Sequence, residues 1–154
     1  MSQLESLSLD WSECDLIRDF DINDYTALLS SATNLSNLCL RNDFCLASTV
    51  DPLLSTLIAT PSTHLCPRLA KMEFTIDQGL SPSTMALLLE VVGSRRRAGG
   101  RRLRLRKVKL DFIVDRESVK KLRSLGIDVE TYWWHMDPPI LFSAFTPSQP
   151  FNRV

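Results

Sequence analysis

Residues 69–74 read Leu-Ala-Lys-Met-Glu-Phe, with apolar side chains at the first, fourth and sixth positions. The same spacing occurs at three other places, so the chain carries four copies of an L-x-x-L-x-L pattern: Leu4, Leu7, Leu9; Leu35, Leu38, Leu40; Leu69, Met72, Phe74; and Leu105, Val108, Leu110. Successive copies begin 31, 34 and 36 residues apart. A period of about 20 to 50 residues is typical of stacked repeat proteins, in which each unit supplies a short strand and a return segment.

Polar and apolar residues alternate within each copy, as Lys71, Glu73 and Thr75 do around Met72 and Phe74. Such strands bury one face, whereas the central strands of a doubly wound sheet are buried on both faces and read as continuous apolar runs. We therefore expect an α/β fold. It would be a leucine-rich-repeat-like solenoid fragment with about five parallel strands and helices on one face.

Helix signals separate the strand segments. The expected helix starts are Asp51 with Pro52, Ser81 with Pro82, and Asp115, with Asn23 or Asp24 opening a shorter helix. Glycines suggest that the third helix stops at Gly93 and the fourth at Gly126. Alternation over residues 127–132 predicts a fifth strand. The expected order is β-α-β-α-β-α-β-α-β, which makes the strands parallel because helical crossovers join them.

The repeats define the expected domain organisation. Residues 1–132 form the solenoid, with units starting near 4, 35, 69 and 105 and a closing strand at 127–132. Residues 133–154 form an aromatic cap that begins with Trp133 and Trp134, followed by a loose tail. Because the first copy starts three residues after Met1, we interpret the chain as the C-terminal part of a longer design.

Bulk composition argues against several classes of protein. The chain has 154 residues and zero net charge, and its four cysteines form no C-x-x-C pair. It has neither a signal-peptide pattern nor an apolar run long enough for a membrane span. We expect an intracellular protein, cytoplasmic or nuclear, without a membrane partner. Phosphate-loop and nucleophile motifs are absent, and His64, Cys66 and His135 lack zinc-site spacing, so we expect no enzyme, metal or cofactor.

Residues 95–109 contain nine basic residues and no acidic one. We interpret this stretch as a flexible, solvated basic loop between a helix and a strand, with Arg95, Arg96, Arg97, Arg101 and Arg102 as its candidate site residues. The alternative is a nuclear-localisation signal or a nucleic-acid patch. Since no aromatic residue interleaves the arginines, stacking on single-stranded bases is not supported, and nucleic acid is not the partner we expect.

Four segments resemble the C-terminal leucine-rich-repeat region of fungal, mostly basidiomycete, F-box-type proteins. They are residues 65–74 (LCPRLAKMEF), 91–95 (VVGSR), 105–110 (LRKVKL) and 122–129 (LRSLGIDV). The resemblance implies repeats that select the substrate of a cullin ubiquitin ligase. Family members dock on the Skp adaptor through an N-terminal F-box. No segment of this sequence matches an F-box, so a Skp contact is expected only if an F-box lies outside this chain.

The exposed strand positions are the candidate binding site. On the predicted concave face they are Asn37, Cys39, Arg41, Lys71, Glu73, Thr75, Lys107, Lys109 and Asp111. Their mixed charge suits a polar protein interface contacted by several strands at once. The sequence thus predicts a non-catalytic protein-interaction module. The alternative is a nuclear or nucleic-acid-associated adaptor that acts through the arginine-rich segment 95–107.

Overall fold

A computed structural model describes residues 4–11, 22–42, 47–60, 65–77, 79–99, 105–112 and 114–131. Strands and helices alternate along these residues, in the order expected from the sequence. The elements are β1 (Ser6–Asp10), α1 (Ile22–Ser31), β2 (Asn37–Asn42), α2 (Ala47–Leu57), β3 (Lys71–Ile76), α3 (Pro82–Gly99), β4 (Lys107–Asp111), α4 (Arg116–Ser124) and β5 (Asp128–Thr131).

The five strands form one parallel sheet in the order β1-β2-β3-β4-β5. The register aligns the four sequence copies residue by residue. The fourth positions of the copies pair across the sheet as Leu7, Leu38, Met72 and Val108, and the sixth as Leu9, Leu40, Phe74 and Leu110. The prediction of an α/β fold with five parallel strands is therefore confirmed.

The apolar side chains of the strands share one face. In β3, Met72, Phe74 and Ile76 are buried, while Lys71 and the other alternate residues are half-buried. The buried strand residues form a single core cluster with apolar residues of all four helices, and consecutive helices contact one another. This core leaves the other face of the sheet, with its polar side chains, outside the apolar packing.

Two predicted helix starts and one predicted helix end are confirmed. Ser81 precedes α3, and its hydroxyl accepts the backbone N–H of Thr84 across 3.1 Å. Asp115 caps α4 by accepting the backbone N–H of Ser118 across 2.8 Å, and the pKa of its carboxyl is lowered by hydrogen bonding to Ser118. After α4, Gly126 has φ of +70°, a left-handed conformation that glycine adopts without a Cβ clash.

Helix α2 starts earlier than the Asp51-Pro52 signal predicts. It begins at Ala47, so Pro52 lies inside the helix and Asp51 is not its N-cap. The added residues include Val50, which is fully buried, and this apolar burial outweighs the hydrogen bond that proline lacks. The Asp51 carboxylate instead accepts a hydrogen bond from the Thr84 hydroxyl across 2.6 Å, which links α2 to the start of α3.

Helix α3 passes through Gly93 and continues to Gly99, so the predicted stop at Gly93 is wrong. Arg95, Arg96 and Arg97 consequently belong to a helix and not to a loop. The helical spacing from Leu88 and Val92 carries the buried side of α3 forward to Arg95, which is itself buried. Arg101 and Arg102 lie outside the described residues, as does the cap predicted at 133–154.

Candidate functional site

The candidate site is the polar side of the sheet, which we call the open face. Parallel register brings its side chains into three rows that cross the strands. The first row is Ser6, Asn37, Lys71, Lys107 and Asp128; the second is Ser8, Cys39, Glu73, Lys109 and Glu130; the third is Asp10, Arg41, Thr75 and Asp111. All nine residues that the sequence predicts for the binding surface lie in these rows.

Ion pairs connect the open-face side chains of β3, β4 and β5. Lys71 and Lys107 are register partners, so their like charges would repel if both pointed straight across the sheet. Each is paired with a carboxylate instead: Lys71 with Glu73 on its own strand, and Lys107 with Glu130 across 2.6 Å. Lys107 also lies 3.9 Å from Asp128, and Lys109 lies 3.8 Å from Glu73. The charges of this half therefore largely neutralise one another.

The pKa values of the paired groups reflect this arrangement. The hydrogen bond from Lys71 is the main cause that lowers the pKa of Glu73, and the nearby Lys109 and Arg41 charges act in the same direction. The hydrogen bond between Lys107 and Glu130 raises the pKa of Lys107 and lowers that of Glu130. The shifts favour the charged forms of Glu73, Lys107 and Glu130, and the surface presents a fixed pattern of alternating charge.

The β1–β2 half of the open face is mostly uncharged. Asn37 donates from Nδ2 to the Ser6 hydroxyl across 3.2 Å, and the free thiol of Cys39 is half-buried beside them. The Oδ1 atom of Asn37 is buried and has no hydrogen-bond partner among the residues that the structure describes. The open face therefore combines a mostly uncharged half, in which Asp10 and Arg41 are the charged residues of the described rows, with a charge-patterned half.

Arg95 is a correction to the predicted basic loop. Its side chain is fully buried and donates to three carbonyl oxygens: Nε to Leu57 across 3.2 Å, Nη1 to Cys66 across 3.1 Å and Nη2 to Leu65 across 2.5 Å. Burial lowers the pKa of Arg95 and raises that of the Cys66 thiol. Arg95 therefore joins α3 to the end of α2 and to the segment before β3, and it is not available to a partner.

Ser94 takes part in the same junction. Its buried hydroxyl accepts the backbone N–H of Ala59 across 3.0 Å and donates to the Val91 carbonyl. Arg95 satisfies a backbone carbonyl of the last residue of α2, and Ser94 satisfies a backbone N–H two residues after it. The predicted basic loop did not include this role for Arg95. The sequence does contain a signal for it, because Arg95 lies seven residues after Leu88 and three after Val92, on the apolar stripe of the helix.

Arg96 and Arg97 remain exposed on α3. The Arg96 guanidinium lies over Gly126, where a Cβ would be 3.0 Å from its Nη2 atom. The Arg97 guanidinium lies near Gly93 of its own helix. Of the five arginines predicted as one basic site, the structure thus buries one, exposes two on a helix, and does not describe the other two.

The described parts of the chain contain no candidate metal site. No group of three or more His, Cys, Asp or Glu side chains there could hold a metal ion. His64 and His135 lie outside these residues.

None of the helices within the described ranges is long and apolar enough to span a membrane.

Comparison with known proteins gives no match. No family model matches the chain, and neither a curated protein nor a solved structure is significantly similar to it. The geometry of the open face is therefore the basis on which a function can be proposed.

Proposed function

We propose that this chain is a leucine-rich-repeat-like solenoid that acts as a non-catalytic protein-interaction module and binds its partner on the open face. The observation that carries the proposal is the in-register set of polar side chains on a sheet face that the apolar core leaves uncovered. Repeat proteins use such a surface to contact an extended area of a partner through several units.

The composition of the open face supports a protein partner. The β1–β2 half supplies hydroxyl, amide and thiol groups together with the charges of Asp10 and Arg41. The β3–β5 half supplies charges of both signs in fixed positions. Such a pattern selects a partner by electrostatic complementarity, since a wrong charge arrangement places like charges opposite each other. A partner with one sign of charge, such as nucleic acid, would meet repulsive carboxylates at Glu73, Glu130 and Asp128.

The resemblance to F-box-type repeats suggests a biological setting for this binding. In that setting the open face would select the substrate of a ubiquitin ligase, and a Skp adaptor would be engaged only by an F-box outside this chain. The alternative of a nuclear or nucleic-acid adaptor acting through residues 95–107 loses part of its basis, because Arg95 is buried. We place the protein inside the cell, without cofactor or metal.

The test is affinity purification from nuclease-treated extract of the source cells with two charge-swap variants of the full chain. Lys107→Glu with Glu130→Lys keeps an ion pair but reverses its pattern on the open face. Glu117→Lys with Lys120→Glu makes the same kind of swap on exposed positions of α4 and is the matched control.

A partner that binds the wild type and the α4 swap but not the open-face swap would support the proposal. A partner that binds both swaps equally would refute it. Circular dichroism of all three proteins ensures that a loss of binding is not a loss of folding.

A further inference from the structure

Four exposed arginines lie at the edge of the sheet where β3 and β4 begin and α3 ends. We call this set, Arg68, Arg96, Arg97 and Arg106, the basic edge. Arg68 precedes β3, Arg106 immediately precedes β4, and Arg96 and Arg97 occupy the last turn of α3.

Backbone contacts place Arg106 beside the segments that enter β3 and β5. The N–H of Arg106 donates to the Ala70 carbonyl across 2.8 Å, and the Arg106 carbonyl accepts the N–H of Asp128 across 2.9 Å. Arg96 reaches the same region from the helix layer, because its guanidinium lies over Gly126, two residues before β5. The basic edge therefore extends from β3 to β5 along one side of the molecule.

The opposite edge, where strands end and helices begin, carries acidic residues. They include Asp77 after β3, Asp111 at the end of β4, and Asp115 and Glu117 at the start of α4. Helix dipoles explain part of this separation, since acids stabilise helix N-termini and bases stabilise helix C-termini. They do not explain Arg68 and Arg106, which lie in segments that enter strands.

The arginines of the basic edge also differ from the open-face charges in their pairing. Lys71, Lys107 and Lys109 each contact a carboxylate. By contrast, the side chains of Arg68, Arg97 and Arg106 form no ion pair or hydrogen bond with any residue in the described ranges. The acidic residue next to Arg106 across the sheet, Asp128, lies 3.9 Å from Lys107.

We propose that the basic edge binds an acidic segment of a protein partner. This inference rests on the proposed function because it takes the partner to be a protein. It adds that the partner carries a run of Asp or Glu residues, next to the part of its surface that contacts the open face. Guanidinium groups bind carboxylates through two parallel hydrogen bonds, so arginines that have no acidic partner within the described ranges suit such a run.

Nucleic acid fits the same edge less well. Its phosphate chain would continue past Asp128 and Glu130, whose carboxylates lie next to the basic edge. The chain as a whole has no net positive charge, whereas nucleic-acid-binding domains are usually strongly basic. A short acidic peptide can contact the arginines without crossing these carboxylates.

The test measures binding of fluorescein-labelled deca-glutamate to the full chain by fluorescence anisotropy, at about 25 mM NaCl, where screening is weak. A double variant, Arg97→Gln with Arg106→Gln, removes two basic-edge charges. The matched control, Lys120→Gln with Lys121→Gln, removes two exposed charges of α4. Lys121 lines a groove with Pro82 and Met85, near the start of α3. A labelled DNA duplex is the second probe.

The expected result is salt-sensitive binding of deca-glutamate that weakens about tenfold in the Arg97/Arg106 variant and less than about twofold in the control. Absent binding, or equal binding by both variants, overturns the proposal. Tighter binding of the DNA duplex, lost in the same variant, also overturns it by assigning the edge to phosphate. The open-face swap tests the proposed function separately, because it exchanges the charges of Lys107 and Glu130 and leaves every arginine of the basic edge in place.

Discussion

The Nε atom of Arg95 donates to the carbonyl oxygen of Leu57, the last residue of α2, across 3.2 Å. The two Nη atoms of the same guanidinium reach the carbonyls of Leu65 and Cys66. Cys66 has a φ of 48°, an unfavourable backbone conformation for a residue with a Cβ, so the arginine helps to hold a strained turn. One buried side chain thus joins two helices and the start of a repeat.

Replacing Arg95 by Met is expected to destabilise the fold by about 2–4 kcal/mol, because it leaves buried carbonyl groups without donors while keeping a similar volume. Urea denaturation followed by circular dichroism measures the free energy of unfolding. Arg97→Met, at an exposed position two residues later, is the control and should change it by less than about 0.5 kcal/mol. Equal midpoints for wild type and Arg95→Met would show that the hydrogen bonds contribute no net stability.

Adjacent residues of β3 should respond very differently to truncation. Phe74 is fully buried in the core, and its replacement by Ala should cost about 3–5 kcal/mol through lost contacts and a cavity. Thr75 is on the open face, and Thr75→Ala should cost less than about 1 kcal/mol. Thermal denaturation of both variants checks the assignment of faces. Similar losses at the two positions would contradict a one-sided core.

Acid should weaken the fold partly through Glu73. Hydrogen bonding from Lys71 holds the pKa of this carboxyl below its usual value of 4.5, so the folded state favours the charged form. The stability that Glu73 contributes is present above pH 4.5 and is lost as the pH falls through its lower pKa in the folded state.

Glu73→Gln should accordingly lose less stability than the wild type when the pH falls from about 6 to about 3. Urea denaturation across this range measures the difference. Parallel stability profiles for the two proteins would mean that the pair with Lys71 does not favour the charged carboxylate.

High pH should destabilise the fold partly through Tyr25. Burial, with a smaller contribution from the Asp24 carboxylate, raises the pKa of Tyr25 from 10.0 to about 12. The folded state favours the protonated phenol. The stability that Tyr25 contributes is therefore fully present below pH 10 and is lost as the pH rises towards 12. The loss should reach about 2 kcal/mol at the upper end.

The chain has two tyrosines, so a Tyr132→Phe variant reports Tyr25 alone by its tyrosinate absorbance. Titration midpoints near 12 in the folded protein and near 10 in urea are expected. The same midpoint in both conditions would contradict the burial of this phenol.

Much of the architecture was predictable because it depends on local pattern. The spacing of Leu69, Met72 and Phe74 and its three other copies located the strands and their register, since alternation decides which side of a strand is buried. The caps at Ser81 and Asp115 were predictable for the same reason, because a short polar side chain acts on backbone within three residues. The nine open-face residues followed from the same alternation.

The predictions of the start of α2 and the end of α3 were wrong because both depend on contacts with segments distant in the sequence. Helix α2 begins before Pro52 because Val50 finds a place in the core, and α3 passes Gly93 because its next turn packs against other repeats. Neither the proline nor the glycine signal contains information about these neighbours.

The amino-acid sequence alone determined the repeat, the strand faces and the polar composition of the open face. Tertiary structure decided the roles of individual charges. Arg95 is buried and hydrogen-bonds to the end of α2, and Lys107 forms an ion pair with Glu130 on the next strand. The physical reason is separation along the sequence. The hydrophobic pattern of a strand is set by residues next to one another in the chain. The environment of a charged side chain depends on groups about 30 residues away, which only the folded chain brings within hydrogen-bond distance.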